Sequence, residues 1–178
     1  MLDGTTPSVA LTRLQSGVGT VTIEAACPAE VGDLRIGCAY RLRSGQTSII
    51  STVGGRRVAP PDSRRPVLVA GHDRYDRISV DLRQVRDIER LLVYAFSDSA
   101  VDLVWGGTVI VTTHSGARVE APLLGLDSGS VGVLMSAYQV DGELALWSEM
   151  LAGSSVRDAC RAFGFDDISW VDDRTPAS

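Results

Sequence analysis

Four residues whose side chains could bind a cation fall in two short segments of the sequence: Asp33, His72, Asp73 and Asp76. Asp33 stands at the start of one predicted strand, and Asp73 and Asp76 precede another. Carboxylates on two loops at the same end of a β-sandwich can hold a hard cation such as calcium through oxygen ligands. Calcium takes about 6–8 oxygens, so three aspartates form a thin ligand set. The three aspartates are therefore predicted as a weak or degenerate calcium site, with exposed loop aspartates as the default interpretation.

No other group of residues has the spacing of a catalytic site. The two histidines, His72 and His114, do not form an HxH or HxxxH zinc pair. No GxSxG motif is present to carry a serine nucleophile. The sequence contains no lysine, which excludes a Walker A phosphate loop and a Schiff-base lysine. We therefore expect no catalytic residues and a protein that is not an enzyme.

Charge is unevenly distributed along the 178 residues, which carry a formal net charge of −5. All 17 basic residues are arginine, and nine of them lie between residues 56 and 90, interleaved there with six acidic residues. Interleaved charges are typical of a solvated surface. Aromatic residues do not alternate with the arginines, as they would in a nucleic-acid stacking platform. We therefore expect no nucleic-acid partner.

The sequence also bears on where the protein works. It contains no apolar run of about 18 residues, and its first residues lack the basic start and apolar core of a signal peptide. The three cysteines, Cys27, Cys38 and Cys160, are widely spaced, which predicts free buried thiols rather than a disulfide framework. We expect a cytoplasmic bacterial protein without a membrane span, and peripheral membrane association is left open.

Alternation of apolar and polar residues dominates the chain and is typical of strands with one face on a core. Asp141-Gly142, between two β-prone runs, predicts a tight hairpin. About nine strands with regular turns indicate an all-β fold, an antiparallel two-sheet β-sandwich. Residues of one parity in a strand share a face, so Cys38 is expected to face the core with its neighbours of equal parity: Leu34, Ile36 and Tyr40.

One helix is predicted over residues 154–163. Ser154 or Ser155 can cap its start, and Gly164 stands where a C-terminal cap would fall. The apolar residues between them have helical spacing: Val156, Ala159, Cys160 and Phe163. This C-terminal helix completes the predicted β-sandwich.

The predicted domain organisation is simple. A single sandwich domain is expected over residues 16–171, because no repeat and no second core-forming pattern is present. The flanking segments, an N-terminus over residues 1–15 and a C-terminal tail over residues 172–178, are expected to be flexible.

Two consecutive stretches of the sequence resemble the TerD-like domain of bacterial tellurium-resistance and stress-response proteins. The first runs from Asp76 to Val85 and contains a strand that ends in Val-Asp-Leu; the second is the apolar run from Ile88 to Phe96. The resemblance covers residues 18–166. Four later pieces fit the family in order and spacing: the strand 107–111, the turn 115–116, the segment 135–142 and the helix 157–165 with its closing Ala-Phe-Gly-Phe.

The resemblance implies a two-sheet β-sandwich with no known reaction. Many members bind calcium at one end, through aspartates in the early strand and an acidic loop before the Val-Asp-Leu strand. This sequence departs from that pattern. Asp33 is the only acidic residue of the early strand, and Arg35 stands close to where a second carboxylate would be expected. Arg74 adds a cation to the later loop. We expect these arginines to pair with the aspartates in place of calcium.

Residues and resemblance together predict a non-catalytic TerD-like binding or assembly module in a bacterial stress-response system of the tellurium-resistance type. Its calcium site would be degenerate, so the expected cofactor is none or calcium, and its partners would be unidentified proteins of that system. One alternative is a calcium-binding switch that retains a single weak site. Another is a hydrolase or metalloenzyme of unrelated fold, which would need a pocket where a nucleophile or metal meets a base.

Overall fold

The computed structural model describes residues 8–11, 19–123, 126 and 128–177. These residues form two antiparallel sheets of six strands each, packed face to face, with one short α-helix. The predicted all-β two-sheet sandwich is therefore confirmed. No helix among the residues described has both the length and the apolar character needed to cross a membrane.

Each sheet has its own strand order. In spatial order, sheet A contains β1 (Ser8–Leu11), β12 (Glu143–Gly153), β11 (Val131–Val140), β8 (Ile88–Ser97), β3 (Leu34–Leu42) and β4 (Thr47–Ser51). Sheet B contains β10 (Arg118–Pro122), β9 (Thr108–Thr113), β2 (Thr20–Ala26), β7 (Asp76–Asp81), β6 (Leu68–His72) and β5 (Val58–Ala59).

The core between the sheets follows strand parity. In β3, Ile36, Cys38 and Tyr40 are buried in this core, with Leu34 packed against its edge, as predicted. Every second residue of β2 and of β7 is buried in the same core. The other residues of these two strands lie on the outer face of sheet B. All three cysteines are free, also as predicted.

Sheet A, unlike sheet B, is buried on its outer face as well. The covering segment is α1 (Val156–Ala162) with the residues that follow it to position 168, here called the C-terminal cover. The cover places apolar side chains against outward-facing residues of β3, β8 and β11, and this second core explains why those strands are apolar on both faces. Its buried members are Val156, Ala159, Cys160, Phe165 and Ile168.

Both ends of α1 are capped. Ser155 accepts a hydrogen bond from the backbone N–H of Asp158 (3.0 Å), which confirms the predicted serine cap. At the other end, Arg90 of β8 donates to the carbonyls of Phe163 (3.0 Å) and Gly164. The guanidinium of Arg90 also stacks over the ring of Phe165, 4.7 Å from the ring centre. These contacts attach the cover to sheet A.

The structure has more strands than predicted, twelve among the described residues against about nine. The additional strands include the short β1 and β5, which lie at sheet edges and are too brief to show alternation. β1 falls within the N-terminus predicted to be flexible; residues 1–7 and 12–15 of that prediction lie outside the described residues. In the predicted flexible tail, Asp173 accepts a backbone hydrogen bond from Arg157 (2.9 Å) and Ala177 donates one to Ser169 (2.7 Å).

Candidate functional site

A pocket of about 490 Å³ opens at the end of the sandwich where β3 begins and the β6–β7 hairpin turns. Its volume lies within the range of about 300–1,000 Å³ that is usual for small-molecule sites. We call it the end pocket. The residues that line it come from both sheets and from the segment between β2 and β3: Ala25, Cys27, Pro28, Ala29, Gly32, Asp33, Leu34, Arg35, His72, Arg74, Tyr75 and Asp76.

Local backbone geometry brings the predicted residues to this end. A short 3-10 turn, Ala29–Val31, ends at Gly32, whose φ of +113° is one that side-chain-bearing residues rarely adopt. The turn directs Asp33 and Arg35 into the start of β3. On the facing sheet His72 pairs with Asp76 across the β6–β7 ladder, so the hairpin loop consists of residues 73–75.

Asp76 is the centre of the site. It shares the inward parity of Ile78 and Val80, and only 4% of its surface is exposed. One carboxylate oxygen accepts from the Thr52 hydroxyl (2.9 Å) and the Ile36 backbone N–H (3.4 Å). The other lies 2.6 Å from Nδ1 of His72 and 3.7 Å from Nη1 of Arg35. Each oxygen thus has at least one protein partner within hydrogen-bond distance, and Arg35 adds an ion pair beyond that distance.

The position of Asp76 also joins the two sheets. The β3–β4 ladder ends at the pair Gly37–Ser51, so Ile36 has a partner in β8 (Ala95) but none on its β4 side. The carboxylate of Asp76, from sheet B, accepts from the N–H of Ile36 on sheet A and from Thr52, which directly follows β4. A buried backbone N–H without an acceptor is costly, so this contact stabilises the end of the sandwich.

Arg35 is held between two carboxylates. Besides its ion pair with Asp76, its Nε lies 4.0 Å from Asp98, and Asp98 in turn lies 3.8 Å from Arg174. Both contacts of Arg35 are longer than a hydrogen bond, and its Nε is buried without an acceptor among the residues described. The side chain is one-third exposed. The expected pairing of an arginine with an aspartate of the site is present for Arg35 and Asp76.

Asp33 accepts hydrogen bonds from the end of β8 and from the loop that follows it. It accepts hydrogen bonds from the Ser97 hydroxyl (2.7 Å) and the Ser99 backbone N–H (2.6 Å). Desolvation raises the pKa of Asp33, but the hydrogen bonds from Ser97 and Ser99 together outweigh it and leave the pKa below its ordinary value. Asp33 is therefore ionised at neutral pH.

Asp73, the third predicted ligand, lies apart from the other two. It is exposed in the hairpin loop and is not among the residues that line the end pocket. Its neighbour Arg74 does line the pocket, with its guanidinium over the ring of Tyr75, 5.4 Å from the ring centre. Among the described residues, no group of three or more histidine, cysteine, aspartate or glutamate side chains is arranged to hold a metal ion.

The end pocket also contains the thiol of Cys27 and the imidazole of His72. Burial raises the pKa of Cys27 to about 11, so the thiol stays protonated at neutral pH and is a poor nucleophile. The imidazole of His72 is oriented by Asp76 through Nδ1. His114, in contrast, is exposed on the β9–β10 turn, as expected for a hairpin tip.

Several residues of the site were not predicted. Thr52, Ser97 and Asp98 come from segments that carry no motif, and only the fold brings them to Asp76, Asp33 and Arg35. Burial of Asp76, however, had a signal in the sequence. In the alternating run from 76 to 81 the aspartate has the same parity as the apolar residues.

Comparison with known proteins adds evidence on the fold alone. No family model matches the sequence, and no curated protein matches it. Among solved structures the chain is similar to SAV2460, a protein of unknown function, with a TM-score of 0.53 and 15% sequence identity. The similarity covers 78% of this chain and 92% of SAV2460.

Proposed function

We propose that the chain is a non-catalytic binding or assembly module of the TerD-like kind, acting in a bacterial stress-response system, in which Arg35 replaces calcium at the end of the sandwich. The observation that carries the proposal is the coordination of Asp76. Three protein groups lie within hydrogen-bond distance of this buried carboxylate, and the cation of Arg35 lies 3.7 Å from it.

Calcium would have to displace these donors. Binding needs about 6–8 oxygen ligands, and each oxygen of Asp76 recruited to the ion would strip a partner from Ile36, Thr52 or His72. Asp33 is likewise committed to Ser97 and Ser99, and Asp73 lies outside the pocket lining. The remaining pocket offers few oxygen ligands.

Electrostatics argue in the same direction. Two unit charges about 4 Å apart interact by about 4 kcal/mol at an effective dielectric of about 20. Arg35 lies 3.7 Å from Asp76, so a divalent ion bound to that carboxylate would be repelled by a fixed cation at comparable distance. Solvent reduces the repulsion, because Arg35 is one-third exposed, but does not remove it.

Two further observations support a non-catalytic module inside the cell. The thiol of Cys27 is protonated, and His72 is engaged with Asp76 rather than with a nucleophile among the described residues. All three cysteines are free, which is usual for proteins of a reducing compartment and supports the proposed cytoplasmic location.

The experiment is a comparison of melting temperature in chelator and in millimolar calcium. A ligand that binds only the native state raises stability by RT ln(1 + [L]/Kd). We expect no calcium-dependent shift for the wild-type chain and a rise for Arg35→Asp, which replaces the cation with a carboxylate. The matched control is Arg86→Asp, because Arg86 is exposed beyond the far end of β7 and should give no calcium response.

Two outcomes would overturn the proposal. A rise of several degrees in wild type, lost in Asp73→Ala, would establish the calcium-switch alternative. Absence of any calcium response in both Arg35→Asp and Arg35→Gln would show that Arg35 does not exclude the ion. The glutamine variant keeps the test available if two adjacent carboxylates prevent folding of Arg35→Asp without calcium.

A further inference from the structure

The end pocket has an excess of unused hydrogen-bond donors. Arg74 is exposed and contacts the ring of Tyr75, so its N–H groups face solvent and have no protein acceptor among the described residues. Arg35 makes two ion pairs beyond hydrogen-bond length, and its Nε has no acceptor in the same part of the chain. Two guanidinium groups with unfilled donors therefore line one cavity.

The acceptors of the pocket are, in contrast, largely used. Asp76 is met by donors on both oxygens, and Asp33 accepts from Ser97 and Ser99. In this pocket the carboxylates have protein hydrogen-bond donors, whereas the guanidinium groups lack protein acceptors. Such a pocket suits a ligand that supplies hydrogen-bond acceptors. Guanidinium forks match the oxygens of phosphate and carboxylate groups in geometry and charge.

We propose that the end pocket binds a small oxyanion, a free phosphate or the phosphate group of a small soluble ester, through Arg74 and Arg35. The inference rests on the proposed function, because it takes Arg35 as the resident cation of the pocket. The volume of about 490 Å³ leaves room for an organic group beside the phosphate. Asp33 and Asp76 line the same pocket and repel an anion, so we expect the ligand to contact the guanidinium nitrogens that are turned away from these carboxylates.

Titration with inorganic phosphate at constant ionic strength tests this inference, followed by backbone amide shifts in NMR spectra and by melting temperature, with chloride as the reference anion. Phosphate should produce saturable shifts in residues 29–35 and 72–76. Arg74→Gln should weaken binding about tenfold, equivalent to about 1.4 kcal/mol. Arg86→Gln is the matched control and should bind as wild type does, because Arg86 lies outside the end pocket.

The inference is wrong if phosphate shifts do not saturate, if chloride reproduces them, or if Arg74→Gln retains full affinity. A second arm with vesicles containing phosphatidic acid separates a free ligand from a lipid headgroup, and binding to vesicles alone would also contradict it. Failure here is distinguishable from failure of the proposed function. A wild-type chain that responds to neither calcium nor phosphate leaves Arg35 as the substitute for calcium and removes only the oxyanion.

Discussion

Arginine has different roles in the end pocket and in the C-terminal cover, although both regions include residues of β3. In the cover, Arg90 donates to the carbonyls of Phe163 and Gly164, and Arg41 donates to Gly164 (3.3 Å) and Asp167 (2.5 Å). These guanidinium groups donate to the carbonyls of the two residues that directly follow α1, and their positive charge complements the C-terminal end of its dipole. In the end pocket, the guanidinium groups of Arg35 and Arg74 have no such hydrogen bonds.

The difference separates a structural arginine from one that is available to a ligand. A guanidinium that donates to the carbonyls of a second element holds the two elements together, and the cover is attached in this way. A guanidinium that is held only by charge keeps its donors for another molecule. The cover should therefore contribute mainly to stability, whereas the end pocket should contribute to stability through Asp76 and to binding through its arginines.

The largest effect is expected in the cover. Phe165 is 1% exposed and packs under Arg90, so Phe165→Ala should lower the free energy of unfolding by about 3–5 kcal/mol. Denaturant unfolding followed by fluorescence measures the loss. Val171→Ala is the control, since Val171 is 72% exposed and should change stability by no more than about 0.5 kcal/mol. Equal losses in the two variants would mean that the cover does not pack as described.

A smaller loss is expected at the end pocket. Asp76→Ala should lower the free energy of unfolding by about 2–3 kcal/mol, because it strands the N–H of Ile36, the hydroxyl of Thr52 and the cation of Arg35. Asp73→Ala provides the control on the same hairpin and should be nearly neutral. If Asp76→Ala proved nearly neutral as well, Asp76 would not join the sheets energetically, and the pocket would be dispensable for the fold.

The smallest effect concerns Asp33 and is visible through pH. Because the folded-state pKa of Asp33 lies below its ordinary value of 3.8, its contribution is fully present above pH 3.8 and is lost as the pH falls through the folded pKa. Wild type should therefore exceed Asp33→Asn in stability by about 1 kcal/mol at neutral pH, and the gap should narrow below pH 3.8. Chemical unfolding of both chains across this range measures the gap, and a gap independent of pH would refute the assignment.

Much of the fold can be predicted from the sequence, because strand parity and turn residues are determined by neighbouring positions in the chain. Parity correctly predicts the core position of Cys38, and Asp141-Gly142 forms its hairpin with the positive φ angles, +50° and +86°, that such a turn requires. The serine cap predicts α1. Two-residue β5 is not predictable in this way, since two residues cannot show a period.

The candidate site can be predicted only in part from the sequence. The strand pattern predicts that Asp33 and Asp76 lie at one end of the sandwich, and both residues line the end pocket. It cannot supply Thr52, Ser97 or Asp98, because their contacts with the site depend on how β4 and β8 end and not on any spacing along the chain. Asp73 is predicted from its residue type and its place in the loop before β7, and the structure leaves it exposed to solvent in that loop.

The C-terminal cover has a consequence for how the protein is made. Synthesis proceeds from the N-terminus, and residues 156–168 follow every strand that they cover. Leu92, Tyr94 and Phe96 of β8 and Val131 and Val133 of β11 are therefore synthesised before the segment that buries their outer face. A nascent chain whose sheets have already paired presents this apolar surface to the cell, and such transient exposure promotes aggregation.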